Sequence, residues 1–414
     1  MREGYENRIA NGLLKADIGI LSAEDVQARL SKDVLIVCPP ERSSRRDLWP
    51  CIWFLASVLH RQFTGRVLLD VGLRNELPAP IPLGSRCRFV ATSDGFDGIT
   101  VGLGTKRRAS AIWGDARGNS ISYQELIGGH ALADPVSGTA LAGYLGFSAL
   151  AHAAGIPAFH GWLAKPKLDL LFSQSTDLNF DELAILGLGQ VGQAFLSILF
   201  FTAGETRSHL HLLDRDIFED ENQFTQILLS ENTKLWVGED KSKHIATVCA
   251  PWGFNITHEK TELAWGWKNT FQNNAIGFLG FDNMDARRMG VEGGFRWLVE
   301  CGVGTDFCRL RLSWHSLPPE REIAKRFFSE DGQPEAQVES DFARSLENTP
   351  GGCGKVIFES LQASAPSLGV LAAAYAMMEL SNALRSGGEV IAGGAYAWSP
   401  LLPLSRDCWP TPMI

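Results

Sequence analysis

The sequence predicts an α/β protein made of two Rossmann-like domains, and three observations support this prediction. At 414 residues, the chain exceeds the size at which a single hydrophobic core usually stops growing. An apolar strand at 183–186 leads into a glycine-rich turn and then into a long apolar helix, the order of a nucleotide-binding unit. The first half has a β-α-β order of its own. We therefore expect one domain over 1–175 and a second over 176–414.

The composition is that of an ordinary globular protein. A formal net charge of −9 argues against a nucleic-acid or anionic-membrane surface. The polar and charged N-terminus does not resemble a secretory signal. The apolar stretch 363–380 contains Pro366 and Glu379, which favours a buried helix over a membrane span. These features predict a cytoplasmic protein.

The first half is predicted to be a nucleotide fold that lacks a nucleotide site. Its predicted elements are a strand at 33–38, a helix at 49–62, strands at 67–71 and 111–112, and a helix within 131–154. Where a phosphate-binding turn would stand, the segment from Pro39 to Ser44 has no glycine, and its prolines remove backbone donors. The alternative interpretation is an unrelated α/β domain.

The glycine turn of the second half, Gly187-Leu188-Gly189-Gln190-Val191-Gly192, predicts a site for a nucleotide phosphate. The three glycines permit a tight turn and close backbone approach, and the following helix directs unpaired N–H groups at the anion. The next predicted strand, 208–213, leads to Asp214 and Asp216, where a carboxylate can bind ribose hydroxyls. An acidic residue at this place suits NAD and ATP equally.

Further polar side chains follow later elements of the second half. In chain order they are Asn222, Gln226, Lys241, Asp282 and Asn283, the last two at the end of a predicted strand over 275–281. Because the carboxyl ends of parallel strands meet at one edge of a sheet, an amide, a lysine and a carboxylate should converge there.

The order of these motifs, GxGxxG, LDxDxxxxxNxxxQ, GxxK and a strand ending in DNxxxR, resembles the adenylation domain of the ubiquitin-activating enzyme superfamily. That superfamily includes ThiF-like and molybdopterin-synthase-activating proteins. The resemblance covers 180–385 and implies a site for ATP and Mg²⁺, where the C-terminal carboxylate of a ubiquitin-like protein is adenylated. It also implies that the first half is an inactive adenylation-fold domain that forms a pseudo-dimer with the active one.

The resemblance assigns a role to each candidate residue. It implies that the nucleotide phosphates contact Gly187, Gly189, Gly192 and Lys241, and that Asp214 binds the ribose. It also implies that Asp282 holds Mg²⁺ and that Asn222 and Gln226 stand at the family's NxxRQ positions. Asp216 and Asn283 complete the predicted cofactor-binding set. A lysine is a mobile point charge suited to developing negative charge. Mg²⁺ is typically held by one or two carboxylates together with substrate phosphates.

One position departs from the family pattern. Thr225 stands where the family usually has an arginine, so another cation should face the polyphosphate. The segment from Tyr5 to Arg8 resembles the family's YxRQ segment, in which an arginine finger reaches across from the partner domain, although Ile9 replaces the glutamine. The resemblance implies a catalytic Arg8, and an ordinary surface arginine is the alternative.

A cysteine nucleophile is predicted at the end of the charged, loop-like segment 317–353. A loop this long in a compact domain is usually functional or disordered. Cys353 stands between glycines and near Lys355, an accessible and basic setting that activates a thiol. In the family, the catalytic cysteine lies in a crossover segment at about this place. The other cysteines form no CxxC pair, so we expect buried thiols, Cys301 and Cys308 among them, and no structural zinc.

The predicted function is ATP-dependent activation of a ubiquitin-like protein, thioester formation on Cys353, and transfer to a conjugating enzyme. The chain is most similar to the activating enzymes of bacterial ubiquitin-like conjugation systems linked to phage defence. Three alternatives stay open: a sulfur-carrier-protein adenylyltransferase, an NAD-binding oxidoreductase and a catalytically dead scaffold. The sequence leaves the oligomeric state open, with a homodimer among the options.

Overall fold

A sheet lies in each half of the chain, and a small two-stranded sheet joins two distant segments. The computed structural model describes residues 9–10, 13, 22–44, 46–72, 78–91, 95–106, 112–155, 180–202, 208–264, 266–268, 270–271, 275–281, 284–295, 297–301, 310–314, 365–385 and 394–398. No helix among these residues is long and apolar enough to cross a membrane.

The first sheet has six strands in the order β3-β2-β1-β4-β5-β6. They are β1 Val34–Val37, β2 Val67–Asp70, β3 Cys87–Phe89, β4 Ile99–Leu103, β5 Ile112–Arg117 and β6 Ser120–Tyr123. Neighbours from β3 to β5 run parallel, and β6 pairs antiparallel with β5 at the edge. The central strand β1 is buried along its whole length, as expected for a parallel strand covered on both faces.

The second sheet has five parallel strands in the order β11-β10-β7-β8-β9. They are β7 Glu182–Leu186, β8 His209–Asp214, β9 Asn255–Lys260, β10 Ile276–Leu279 and β11 Trp297–Glu300. If the strands are counted within each half, the parallel strands of both sheets have the order 3-2-1-4-5, which is that of a doubly wound nucleotide fold. The predicted fold class, two Rossmann-like units in one chain, is confirmed.

Helices cover both sheets. They are α1 Ala23–Leu30, α2 Trp49–Gln62, α3 Pro135–Ala154, α4 Gln190–Thr202, α5 Lys241–Cys249, α6 Met284–Glu292 and α7 Pro366–Arg385. The predicted helix at 49–62 is confirmed to the residue. Helices α3 and α7 each begin at a proline and are rich in small residues.

Helices α3 and α7 pack against each other and form the seam between the two halves. Small residues permit the close approach: a Cβ added at Gly143 would lie 2.8 Å from both Leu371 N and Ser367 O. Helix α3 also packs on α2, and α7 also packs on α4, so one continuous apolar core spans the seam. Both helices are buried almost all round, which explains their uniformly apolar sequences.

The seam helix α3 has clear end signals. The Asp134 side chain accepts the Val136 N–H at 2.8 Å. Pro135 occupies the first turn, where a backbone N–H would have no partner within the helix, so its lack of an N–H costs no hydrogen bond. At the other end, Gly155 adopts φ +69°, the left-handed conformation that commonly ends a helix. Local sequence therefore fixes where this buried helix begins and ends.

The remaining strands, β12 Leu310–Trp314 and β13 Gly394–Trp398, pair antiparallel. The sequence does not predict this pairing, which includes the first residues of the apolar C-terminal tail from Tyr396 onward. The segment 317–353 lies outside the described residues.

Candidate nucleotide site

The glycine turn lies between β7 and α4, next to the end of β10, where the strand order of the second sheet reverses. Gly187 adopts φ +94°, and its N–H donates to the Leu213 carbonyl at 2.9 Å. A Cβ added at Gly192 would lie 2.1 Å from the Gly187 carbonyl oxygen, so a side chain at this position is excluded. Crevices at such reversal points are where open α/β sheets bind ligands.

The middle glycine of the turn faces open space. A Cβ added at Gly189 meets no atom within 4 Å, in contrast to Gly187 and Gly192. Close packing of the turn therefore requires glycine at 187 and 192, whereas no protein atom covers Gly189, beside the first turn of α4. Unpaired N–H groups at a helix N-terminus attract an anion, so this arrangement fits a phosphate group.

Asp214 anchors the turn from the end of β8. Its buried carboxylate accepts the Leu188 N–H at 2.6 Å and the Asp216 N–H at 2.9 Å. Burial raises the pKa of Asp214, and the nearby Lys241 charge and these two hydrogen bonds oppose that rise. A carboxylate oxygen has two lone pairs, so Asp214 retains acceptor capacity for ribose hydroxyls.

Lys241 is the first residue of α5 and points back toward β8. Its Nζ donates to Asp216 Oδ2 at 3.0 Å, and its backbone N–H donates to the Asp216 carbonyl at 3.1 Å. The Lys241 side chain is 10% exposed, whereas that of Asp216 is 52% exposed. The structure thus brings together six of the predicted residues, which are the three glycines of the turn, two carboxylates and a lysine: Gly187, Gly189, Gly192, Asp214, Asp216 and Lys241.

Asn222 and Gln226 lie beside this group but are turned into the protein. Asn222 Oδ1 accepts the Glu219 N–H at 3.0 Å and closes a single 3₁₀ turn, Asp220–Phe224. Gln226 Oε1 accepts from Gln193 Nε2 at 2.6 Å, and both side chains are buried. These contacts position the loop, and direct nucleotide contact by Asn222 and Gln226 stays a prediction.

Gln193 is a site residue that the sequence analysis missed. Besides Gln226, its Nε2 donates to the Leu188 carbonyl at 2.9 Å, and its Oε1 accepts the Leu228 N–H at 3.0 Å. One buried amide therefore ties the glycine turn to the loop that follows β8. The available signal was a glutamine within the apolar helix α4, where a polar side chain needs buried partners.

Thr225 is buried, and its Oγ1 has no hydrogen-bond partner among the residues that the structure describes. The position at which the family pattern has an arginine therefore presents no cation. The Arg61 guanidinium of α2 donates to the backbone carbonyls of the residues that follow, Gln226, Ile227 and Leu229.

The equivalent crevice of the first sheet is filled by a protein side chain. Arg42 follows β1 and pairs with Asp47, and its Nη1 donates to Asp115 Oδ1 at 2.8 Å. All three are buried, and Arg42 Nη1 would lie 3.1 Å from a Cβ added at Gly104, the residue that follows β4. A guanidinium thus lies at the reversal point of the first sheet, where the second sheet has its glycine turn.

Four predicted residues lie outside the described residues: Arg8, Asp282, Asn283 and Cys353. The chain leading to Asp282 is described as far as Phe281. Gly280 N donates to the Leu186 carbonyl at 2.7 Å, and a Cβ at Gly187 would lie 2.9 Å from the Gly280 carbonyl carbon. The described chain as far as Phe281 therefore lies directly against the glycine turn.

The described cysteines are not candidates for a nucleophile. Cys38, Cys51, Cys249 and Cys301 are buried, and burial raises the pKa of each. Cys87 is partly buried, and burial raises its pKa to about 12. This agrees with the expectation of inert thiols, including Cys301, whereas Cys308 lies outside the described residues.

Comparison with known proteins decides the family. Residues 181–387, half of the chain, match the BilD C-terminal domain. The chain belongs to this family. The match begins one residue before β7 and ends two residues after α7, so it contains the second sheet and the glycine turn.

A curated relative is the bacterial E1-like protein BilD of Collimonas sp. (strain OK412), which is 30% identical over 223 residues. The aligned region is 51% of this chain and 47% of the relative, so the chain spans about half the length of that protein.

Two solved structures are also similar. One is Escherichia coli MccB in complex with ATP, with 13% identity and a TM-score of 0.34 over 72% of this chain and 98% of MccB. The other is the E. coli tRNA dehydratase TcdA in complex with AMP, with 14% identity and a TM-score of 0.30 over 57% of this chain and 93% of TcdA. Scores this low do not support a residue-by-residue transfer.

Proposed function

We propose that this chain uses ATP to adenylate the C-terminal carboxylate of a ubiquitin-like protein. The observation that carries the proposal is the grouping of the glycine turn, Asp214, Asp216 and Lys241 at the reversal point of the second sheet. The relative's description as an E1-like protein supports the same reaction class.

The described residues of the site fit a nucleotide whose phosphates lie at the glycine turn. Gly189 is uncovered, and the N-terminus of α4 offers N–H groups to the anion. Asp214, already fixed by two backbone N–H groups, is positioned to accept ribose hydroxyls. We assign Lys241 to a phosphate oxygen, for which it would give up its Asp216 partner and bring a positive charge to the place where negative charge develops.

Asp282 is the residue we assign to Mg²⁺, with Asn283 beside it. A bound Mg²⁺ would neutralise phosphate charge and help pyrophosphate leave. The approach of Gly280 to Gly187 supports this assignment, because it directs the end of β10 toward the phosphate end of the site.

In the proposed first step, a carboxylate oxygen of the ubiquitin-like protein attacks the α-phosphorus of ATP. The bond from that phosphorus to the bridging oxygen breaks, and pyrophosphate leaves with the electron pair. In the second step, the Cys353 thiolate attacks the acyl carbon of the adenylate, and AMP leaves to give a thioester. A conjugating enzyme then receives the acyl group. Two easier steps replace one difficult one.

The first half has a supporting role in this proposal. Its own crevice is filled by Arg42, and it packs on the active half through α3 and α7. We assign residues 1–175 as the inactive partner domain and 176–414 as the active one. Arg8 is then the arginine finger that replaces the cation missing at Thr225.

ATP–pyrophosphate exchange with candidate ubiquitin-like proteins tests the proposal. Wild type should exchange, and Asp282→Ala and Lys241→Ala should each slow exchange about 100-fold, as removal of one charge-stabilising group typically does. Lys243→Ala is the matched control, because Lys243 is an exposed lysine of the same helix paired with Glu239. If wild type shows no exchange with any ubiquitin-like protein encoded beside it, the proposed adenylation activity is refuted.

The cysteine and the arginine finger have separate tests. Cys353→Ala should keep exchange but lose a thioester adduct with the ubiquitin-like protein that added thiol cleaves, whereas Cys87→Ala, which changes the least buried of the described cysteines, should keep both. An adduct that persists in Cys353→Ala excludes Cys353. Arg8→Ala should slow exchange at least tenfold relative to Arg46→Ala, which changes an exposed arginine of the first half.

A catalytically dead scaffold is the second candidate, and Thr225 is the observation that favours it. This buried threonine leaves the loop without a cation at the family's arginine position. A scaffold binds its protein partner without pyrophosphate exchange, so the same assay separates the two candidates.

A further inference from the structure

Two histidines and a glutamate lie together at the opposite end of the second sheet from the glycine turn. His209 and His211 share one face of β8, because side chains alternate along a strand. Glu182 opens β7 and pairs with His209 across the parallel ladder. The strand register therefore gathers three metal-ligating side chains at the amino ends of β7 and β8.

The distances suit a shared ion. Glu182 Oε1 lies 3.8 Å from His211 Nε2 and 3.9 Å from His209 Nδ1. One ligand atom of each residue lies within 4.8 Å of those of the other two. Ligand atoms bound to zinc at about 2.0–2.2 Å lie roughly 3.4 Å apart in a tetrahedron, so shifts of about half an ångström close the site.

The same distances are too long for hydrogen bonds, which join nitrogen and oxygen at about 2.7–3.2 Å. Within the described part of the chain, His211 Nε2 is a buried atom with no hydrogen-bond partner, and so is His209 Nε2. His211 as a whole is 8% exposed. Such orphaned buried atoms are uncommon, and an unassigned ion is one of their ordinary explanations. Either nitrogen of His209 can serve, because rotation of the ring exchanges them.

His211 is prepared as a ligand by its neighbours. Its Nδ1 is 2.7 Å from Thr257 Oγ1, and when Nδ1–H donates to that oxygen, Nε2 carries the lone pair that a metal needs. The Phe271 ring stacks on the imidazole with centroids 3.9 Å apart and fixes its plane.

There is also room beside the cluster. Glu182, His211, Thr257 and Phe271 are among the residues that line a cavity of about 350 Å³. A metal held by three protein ligands needs a fourth position for water or another ligand, and this cavity supplies it. Two imidazoles and one carboxylate form a donor set that suits zinc better than calcium or magnesium, which prefer oxygen ligands.

We propose that Glu182, His209 and His211 bind a zinc ion that fastens the amino ends of β7 and β8 together. The absence of CxxC pairs, from which the sequence predicts no structural zinc, bears only on cysteine ligands. This site is separate from the nucleotide crevice at the carboxyl ends of the same strands. The proposal therefore stands or falls independently of adenylation.

Zinc titration of the full chain, after dialysis against a chelator, tests the site. Wild type should bind one more equivalent of Zn²⁺ than His211→Ala or His209→Ala in competition with a chromophoric chelator. His130→Ala, which changes an exposed loop histidine, should bind as wild type. Thr257→Val should retain the site but weaken it about 10- to 100-fold, the usual effect of removing a partner of a metal ligand.

Two further measurements guard against misfolded variants. Glu182→Gln keeps the side-chain volume and should lose the same equivalent of zinc with an unchanged circular dichroism spectrum. Co²⁺ added to wild type should give the visible absorption bands of a tetrahedral site, and Zn²⁺ should displace them. Equal zinc binding by wild type and both histidine variants would place any ion elsewhere, and no binding by wild type would remove the site altogether.

Discussion

The Arg61 guanidinium, on a helix of the first sheet, donates from Nε to the Gln226 carbonyl of the second half at 2.9 Å. Its Nη2 also donates to the Ile227 and Leu229 carbonyls, at 3.2 and 2.8 Å. Burial lowers the pKa of Arg61 to about 10, which still leaves it charged at neutral pH. One side chain of the first half thus donates hydrogen bonds to three backbone carbonyls of the second half.

Replacing Arg61 should therefore weaken the packing between the two halves and destabilise the protein. Arg61→Ala leaves buried carbonyls without donors and should lower the free energy of unfolding by about 2–4 kcal/mol, as measured by denaturant titration. It should also slow pyrophosphate exchange, because Gln226 sits in the same loop. Arg66→Ala is the control, since it removes an exposed pair with Asp33 and should change little. Equal effects of the two variants would contradict the structural role of Arg61.

The seam between α3 and α7 should tolerate no side chain at its closest point. Gly143→Ala would put a methyl group 2.8 Å from Leu371 N and Ser367 O, so we expect a loss of about 1–3 kcal/mol of stability from overpacking. Gly138→Ala, five residues earlier in the same helix, places its Cβ 3.5 Å from Cys51 Cβ. That is ordinary contact, and the gain in helix propensity should make this variant neutral or more stable. Urea unfolding of the two proteins compares them directly, and a Gly143→Ala protein as stable as Gly138→Ala would argue against a close seam.

Substitutions at Gly189 and Gly192, at the start of α4, should have different effects, one on ATP binding and the other on stability. Gly189→Ala meets no atom within 4 Å and should keep the wild-type melting temperature, yet weaken ATP binding at least tenfold by filling the phosphate space. Gly192→Ala would collide with the Gly187 carbonyl oxygen at 2.1 Å and should destabilise the protein. Calorimetric ATP titration together with thermal melts measures both effects. Unaltered ATP affinity in Gly189→Ala would exclude the phosphate from this turn.

Glu379 of the seam helix α7 should make stability depend on pH. Burial raises its pKa from 4.5 to about 7. The folded state therefore holds a proton that the unfolded state releases between these values, so stability falls as pH rises from 4.5 to 7. Glu379→Gln removes the buried charge and should stabilise the protein by about 1–3 kcal/mol at pH 8, with little effect near pH 4.5.

Unfolding measured at both pH values tests this prediction. Glu125→Gln, at an exposed loop position, should shift stability equally at the two pH values. A Glu379→Gln protein whose advantage does not grow with pH would show that Glu379 is ionised in the folded state.

Several features were predictable because their signals are local. The helix at 49–62 follows from apolar spacing, and the strand–turn–helix at 182–202 follows from glycine spacing between apolar runs. The motif order also identified the family, since it preserves chemistry at strand ends. Strand β9 was missed because its sequence, NITHEK, is exposed and polar and carries no apolar alternation.

The contacts that give the candidate sites their geometry depend on tertiary structure. Arg42 fills the first crevice only because β1, β4 and β5 bring Asp115 beside it, 73 residues along the chain. Gln193 joins two loops through the interior, and Glu182 meets His209 only in one parallel register.

The sequence by itself determined the two nucleotide-fold units, the glycine turn and the family, because periodicity and spacing act over neighbouring residues. Only the tertiary structure decided which side chains meet: Lys241 with Asp216, Arg61 with the loop after Asn222, and the two histidines of β8 with Glu182. These contacts join residues that are tens to hundreds of positions apart, and their geometry depends on strand register and helix packing that no local pattern encodes.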